Sequence, residues 1–247
     1  PYTILVVDDN PDMTDFLKRT FEGYFKRIII AGDGVEALQL VRSHVPDIIV
    51  SDVMMPRMNG YELCKTIKED IAISHIPVIL LTAKDDKQSL ISGYKNGADG
   101  YLSKPFEVEM LMELIRNRLK NREYTKKRYL NAGLIPTPEE STISLTDETF
   151  LIKLNSIIQE NIDNTNLGIQ FICQEVGLGR SSLYNKLKAL TGMGANEYIS
   201  KLRIEKAITL ISGTDMPFSE IAEKTGFTTP SYFSTTFKQY TLSLIHI

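Results

Sequence analysis

The stretch DIIVSDVMMPRMNGYELC, residues 47–64, decides how the first half of this chain folds. A short apolar run ends on one carboxylate, Asp52, and two methionines, a proline and an Asn-Gly pair follow at once. The run is apolar on both of its faces, as in a parallel strand covered on both sides. Its acid falls where such sheets bind ligands, beyond the carboxyl end of a strand. The residues behind it read as a turn that shapes a loop around Asp52.

Similar runs recur on either side: TILVV (3–7), RIIIA (27–31), DIIVS (47–51), PVILL (77–81) and GYL (100–102). Stretches of helical length separate and follow them, at 11–25, 34–44, 60–71, 86–96 and 107–120. Five β-α alternations predict an α/β doubly wound, five-stranded parallel sheet over residues 1–120. From 121 to 146 the pattern lapses into charged and then Gly- and Pro-containing sequence, which reads as a linker. Residues 147–247 carry only helix-period segments and form an all-α domain.

Composition narrows the class. The 247 residues are 43% hydrophobic and 24% charged, with a net charge of −3, as in soluble domains. Residues 1–120 hold 15 Lys+Arg against 18 Asp+Glu, and residues 168–247 hold 8 against 6, so an acidic front precedes a mildly basic rear. No run is long and apolar enough for a membrane span, and the first residues lack the features of a signal peptide. Cys64 and Cys173 match no metal-ligand spacing and read as reduced thiols of a cytoplasmic protein. His44, His75 and His246 form no cluster.

The strand ends carry the chemistry. Asp8 and Asp9 follow the first strand, Asp52 the third, Thr82 the fourth and Lys104 the fifth. Three carboxylates in one crevice repel one another and call for a cation. Oxygen ligands with room for water favour Mg²⁺. A carboxylate nucleophile, a divalent metal, a lysine and a hydroxyl are what phosphoryl transfer to an aspartate needs. Singly, each residue has a plainer reading: DDNPD can cap a helix, with Pro11 at its first position. A phosphatase or phosphotransferase working through a phosphoaspartate is the alternative use of the same residues. A flavin- or nucleotide-binding sheet is disfavoured, because the acidic DDNPD would repel phosphate.

The rear segment repeats. FICQEVGLGRSSLYNKLKALT (171–191) aligns with EIAEKTGFTTPSYFSTTFKQYT (220–241). Ile172 matches Ile221 and Gly177 matches Gly226. With one extra residue in the second turn, Leu183, Leu187 and Thr191 match Phe233, Phe237 and Thr241. Each unit is a helix, a Gly-containing turn and a second helix, the helix-turn-helix pattern. The second helices lack acids. The first carries Arg180, Lys186 and Lys188, and the second Ser, Thr, Tyr and Lys, which suits phosphate and base-edge contacts.

ILVVDDNPDM, DIIVSDVMMPRMNGYELC, PVILLTAKDD and GADGYLSKPF together resemble the receiver domain of two-component response regulators. The resemblance implies that Asp52 accepts a phosphoryl group from a histidine kinase. It implies Mg²⁺ held by Asp8, Asp9, Asp52 and the backbone carbonyl of Met54, with Lys104 pairing the phosphoryl group. Thr82 would move towards it and Tyr101 would follow as the switch aromatic.

SSLYNKLKALTG, NEYISKLRIEKAITLI, IAEKTGF and PSYFSTTFKQY resemble an AraC-type DNA-binding domain. That implies contacts to promoter DNA from Arg180, Ser181, Tyr184, Asn185 and Lys188, and from Ser231, Tyr232, Ser234, Thr235 and Lys238. Leu183, Leu187, Phe233 and Phe237 would be core.

The combination reads as a non-enzymatic transcription regulator that pairs into a homodimer when phosphorylated. It is similar to the cytoplasmic end of hybrid two-component sensors of Bacteroidetes. The closing LSLIHI replaces the glycine that the repeat places after Thr241, so 242–247 reads as a non-native tail.

Overall fold

A computed structural model describes residues 2–83, 97–132 and 144–245, with side chains left undescribed at 131–132 and 242–245. The chain divides into two compact units, Pro1–Tyr124 with Thr142–Asp147, and Thr125–Ser141 with Glu148–Ile247. The helix expected at 86–96 lies outside the described residues.

In the first unit, β1 (Thr3–Val7), β2 (Arg27–Ala31), β3 (Ile48–Asp52), β4 (Val78–Ala83) and β5 (Gly100–Lys104) form one sheet in the order β2-β1-β3-β4-β5. Every pairing is parallel. One face buries Leu5, Val7, Ile49 and Leu80 against α2 (Gly34–His44) and α3 (Gly60–Glu69). The other buries Ile4, Val6, Val50 and Ile79 against α1 (Pro11–Phe21) and the start of α4 (Val108–Ala132). Alternate residues of each strand therefore enter different cores, which is why the strands read as unbroken apolar runs.

Local signals start the helices. Asn10 caps α1 by accepting from the Asp12 N–H at 2.9 Å, with Pro11 as the first helical residue. The Asn-Gly pair is not a turn. Asn59 caps α3 in a reciprocal capping box with Glu62, and Gly60 opens the helix. A Cβ at Gly60 would lie 2.2 Å from the Asp52 carbonyl oxygen, so glycine here lets α3 start directly behind the strand end.

The helix expected to stop at 120 continues to Ala132, and so 121–132, read as linker, is helical. Thr125 and Tyr129 are buried four residues apart, on the period of a helix with one covered face. The rest of the expected linker, apart from 144–146, lies outside the described residues.

The second unit contains most of α5 (Leu145–Glu160), then α6 (Ile169–Val176), α7 (Arg180–Thr191), α8 (Ala195–Gly213), α9 (Phe218–Lys224) and α10 (Pro230–Ile245). Lys201 of α8 is buried and donates to the carbonyls of Tyr129 and, at 3.0 Å, Leu130. These are end-of-helix carbonyls of α4 that have no intrahelical donor. Arg203 does similar work between elements, donating to the carbonyls of Ile162 (3.2 Å) and Asn164 (2.6 Å).

The repeat is visible in the fold. Leu183 and Phe233 are both fully buried, and Thr191 and Thr241 each donate a hydroxyl to the carbonyl four residues earlier, at 2.8 Å. Gly177 and Gly226 both have φ of 72°. Their surroundings differ: a Cβ at Gly177 meets nothing within 4 Å, while one at Gly226 would lie 2.3 Å from the Ile162 carbonyl oxygen and 2.7 Å from Arg203. Gly177→Ala should therefore cost only the left-handed penalty, about 1–2 kcal/mol. Gly226→Ala should cost about 1–3 kcal/mol more from overpacking, measured as the shift in chemical denaturation of this unit.

Candidate functional site

The parallel register brings the strand ends to one edge of the sheet. Val7 pairs with Ser51 and Asp52 with Leu81, so Asp8, Asp52 and Thr82 lie at nearly the same level. Lys104 ends β5, beyond β4, and reaches back across it. Its Nζ lies 2.9 Å from Asp8 Oδ2 and 2.7 Å from Asp52 Oδ1. Ligand oxygens of Asp8, Asp9 and Asp52 fall within 4.8 Å of one another. Asp8 and Asp52 are buried at 3% and 8% exposure, whereas Asp9 is open to solvent.

The two buried carboxylates are each oriented by a backbone N–H. Asp8 Oδ1 accepts from the Asn10 N–H at 2.9 Å, and Asp52 Oδ2 accepts from the Met54 N–H at 3.2 Å. DDNPD thus serves both of its readings: Asn10 and Pro11 start a helix, while Asp8 and Asp9 face the crevice. Burial pushes the Asp52 carboxyl above its ordinary value, opposed by the hydrogen bond and charge of Lys104 and assisted by Asp8. Burial also opposes the charge on Lys104. Its hydrogen bonds and charge pairing with Asp52 and Asp8 outweigh that, and its pKa is raised.

Three carboxylates and one ammonium leave the cluster about two charges negative, and its donors are all hard oxygens. The residues present therefore fit a divalent oxygen-preferring cation. Thr82 is buried near the end of β4, and Tyr101 is half-buried on β5 with its ring against the core that faces α2 and α3.

In the second unit, the residues expected to face DNA stand out from the core on α7 and α10. Arg180, Ser181, Tyr184 and Lys188 are exposed and Asn185 is half-buried. Ser231, Tyr232, Ser234, Thr235 and Lys238 are all exposed. An open depression of about 490 Å³ is lined by Arg180, Ser181, Tyr184 and Asn185 together with the helix starts at Ile169 and Ala195. Lys186 departs from expectation. It is fully buried, with its Nζ 5.0 Å from the centre of the Phe150 ring, and so is not available to a phosphate. Leu183, Leu187 and Phe233 are core as expected, with Phe237 half-buried beside Phe233 at 5.5 Å between ring centres. Sequence reading missed Phe218, which packs on Phe233 and Phe237 at 5.9 and 6.2 Å.

Comparisons with known proteins match two regions of the chain. Residues 4–116 match the response regulator receiver domain, and residues 172–244 match a helix-turn-helix domain of AraC type. The chain is 36% identical over 165 residues to the response regulator MprA of a Mycobacterium species, covering 62% of this chain and 70% of that protein. It is 40% identical over 237 residues to histidine kinase P4 of Formosa agariphila, covering 96% of this chain but 17% of that protein. The receiver domain of Francisella response regulator 1452 is 35% identical and covers 49% of this chain and 98% of that one, with a TM-score of 0.45. The chain belongs to the response regulator family, with a receiver domain followed by a helix-turn-helix DNA-binding domain. No helix among the described residues is long and apolar enough to cross a membrane.

The raised Asp52 pKa has a signed consequence. Between the usual value of 3.8 and the raised one, the folded state holds the proton more tightly than the unfolded chain. Stability therefore falls as pH rises through that window. Urea denaturation of Asp52→Asn across the same range should lack this decline.

Proposed function

We propose that this chain is a phosphorylation-controlled transcription regulator rather than an enzyme, with Asp52 as phosphoacceptor. The reading rests above all on Lys104 holding Asp8 and Asp52 together at the carboxyl edge of the sheet, with Asp9 beside them. The Asp8, Asp9 and Asp52 carboxylates and the Met54 backbone carbonyl would hold Mg²⁺. When bound, the ion neutralises the cluster and the oxygens of the incoming phosphoryl group.

The chain's own residues do the rest. An Asp52 carboxylate oxygen bonds to phosphorus as the bond from phosphorus to the donor's histidine nitrogen breaks. Lys104 exchanges part of its pairing with Asp8 and Asp52 for a phosphoryl oxygen. The product carries about −1.5 to −2 charges where Asp52 carried one. The Thr82 hydroxyl would approach that group, and Tyr101 would turn further inward to fill the space left behind. A two-position element of this kind is what a phosphorylation switch requires.

At the other end, Arg180, Ser181, Tyr184, Asn185 and Lys188 of α7 would contact bases and phosphates of promoter DNA. Ser231, Tyr232, Ser234, Thr235 and Lys238 of α10 would do so from the second unit. Phosphorylation would favour a homodimer, whose paired DNA-binding units hold repeated sites through effective concentration. The phosphoryl donor would be a histidine kinase. The chain spans 17% of the Formosa histidine kinase and 56% of the mycobacterial regulator MtrA. The match to a histidine kinase over nearly the whole chain supports a place at the cytoplasmic end of a hybrid sensor.

Incubation with Mg²⁺ and phosphoramidate should add one phosphoryl group to the full chain by intact mass, and none to Asp52→Ala. In DNA titrations, Arg180→Ala should cost about 1–3 kcal/mol and relax specificity at one position. Lys188→Ala should instead weaken binding evenly across sequences and lower the salt slope by about one. A chain that takes no phosphoryl group, or takes it in Asp52→Ala, contradicts the reading.

A further inference from the structure

The connection between β3 and α3 is tethered at a point that the phosphoacceptor chemistry does not itself demand. Arg57 has φ of 65°, in the left-handed region, which is unusual for so bulky a residue. Its guanidinium is ion-paired with Asp33. Asp33 is 1% exposed and caps α2, its Oδ1 accepting from the N–H groups of Val35 (2.8 Å) and Glu36 (3.0 Å). Its other oxygen, Oδ2, is the one that meets Arg57.

A second tie sits one residue along. The Gly34 N–H donates to the Met58 carbonyl at 3.2 Å, and a Cβ at Gly34 would lie 2.7 Å from Met58. The far end of the same loop is fixed to the site. The Met54 N–H donates to Asp52 Oδ2 at 3.2 Å, and the Gly60 N–H to the Val53 carbonyl at 3.0 Å. The loop is therefore held between the phosphoacceptor carboxylate and the start of α2.

The Arg57 side chain is 65% exposed, so its ion pair adds little to global stability. Strained backbone that persists without a stability reason points to positioning. We propose that Arg57 is a positioning residue for the phosphoacceptor site. Its ion pair with Asp33 fixes residues 53–59 against α2 and so presents the Met54 backbone carbonyl to the divalent cation. The inference rests on reading Asp52 as phosphoacceptor, and it adds a residue that touches neither the cation nor the phosphoryl group.

The test uses the full chain with Arg57→Ala, Arg57→Gly and Arg57→Lys. Alanine removes the tether and keeps the left-handed strain, glycine removes both, and lysine keeps the charge. Three quantities are read: hydrogen exchange of residues 54–58 without metal, binding of Mg²⁺ alone by calorimetry, and phosphorylation by phosphoramidate at saturating Mg²⁺.

Loss of groups that orient metal ligands typically costs on the order of 10–100-fold in affinity, and for this more distant tether we expect about three- to tenfold. Arg57→Ala and Arg57→Gly should both show that loss and faster loop exchange, with the denaturation midpoint of Arg57→Ala unchanged without Mg²⁺. Arg57→Lys should recover most of the affinity. Wild-type Mg²⁺ affinity and loop exchange in Arg57→Ala, with Asp52 still phosphorylated, would overturn the proposal and leave the phosphoacceptor reading intact. Loss in Arg57→Ala but not in Arg57→Gly would also overturn it, by showing that the loop needs no ion pair once the left-handed strain is removed. A wild-type chain that neither binds Mg²⁺ nor takes a phosphoryl group would overturn both.

Discussion

Everything at the front of this molecule depends on keeping like charges together at one edge of a sheet. Asp8 and Asp52 are both buried, and their mutual repulsion adds to the cost of desolvation. Parallel pairing of β1 with β3 puts them side by side whether or not they attract. Lys104 then supplies a counter-charge from β5, two strands away from β3. One ammonium cannot balance three carboxylates, and the residual negative charge is what suits the crevice to a divalent cation. The buried apolar sheet provides a rigid frame for an arrangement that would otherwise spread apart.

The second unit solves a different problem, presenting two polar helices from a small core. Its repeat shows how the same motif is held in two ways. Gly177 needs glycine for its backbone angle alone, while Gly226 also needs it because the Ile162 carbonyl and Arg203 sit against it. The two buried cations of α8 act as braces, each satisfying carbonyls that a helix end or loop leaves without donors. Burial pushes the pKa of both Lys201 and Arg203 down, and the hydrogen bonds to these carbonyls offset part of that desolvation. Lys186 shows the opposite use of a basic residue, packed beneath its helix over Phe150 rather than offered to solvent.

Much of this is legible in the sequence. The strand TILVV runs from 3 to 7 and RIIIA from 27 to 31, as their β-branched content and their flanks indicate. The strand-end residues Asp8, Asp52, Thr82 and Lys104 follow from alternation alone. The misreadings have physical causes. Asn-Gly is a strong turn signal, and it concealed a capping box that Glu62, three residues after Asn59, also announces. Charge between 121 and 128 suggested a linker, although Thr125 and Tyr129 keep the helical period. By composition Lys186 belongs to a basic face, but its place between Leu183 and Leu187 puts it on the buried side of the helix. The Asp33–Arg57 tether joins two loops 24 residues apart and leaves no periodic trace in one sequence.

The proposed switch requires that the state of Asp52 set occupancy of DNA by the rear helices. The most direct measurement is DNA selection from a random pool at fixed moderate salt, with and without Mg²⁺ and beryllofluoride, using Asp52→Ala as control. An enriched direct repeat should be bound more tightly with the phosphoryl mimic, and equally with and without it in Asp52→Ala. A repeat bound equally with and without the mimic, or the same response in Asp52→Ala, would contradict it.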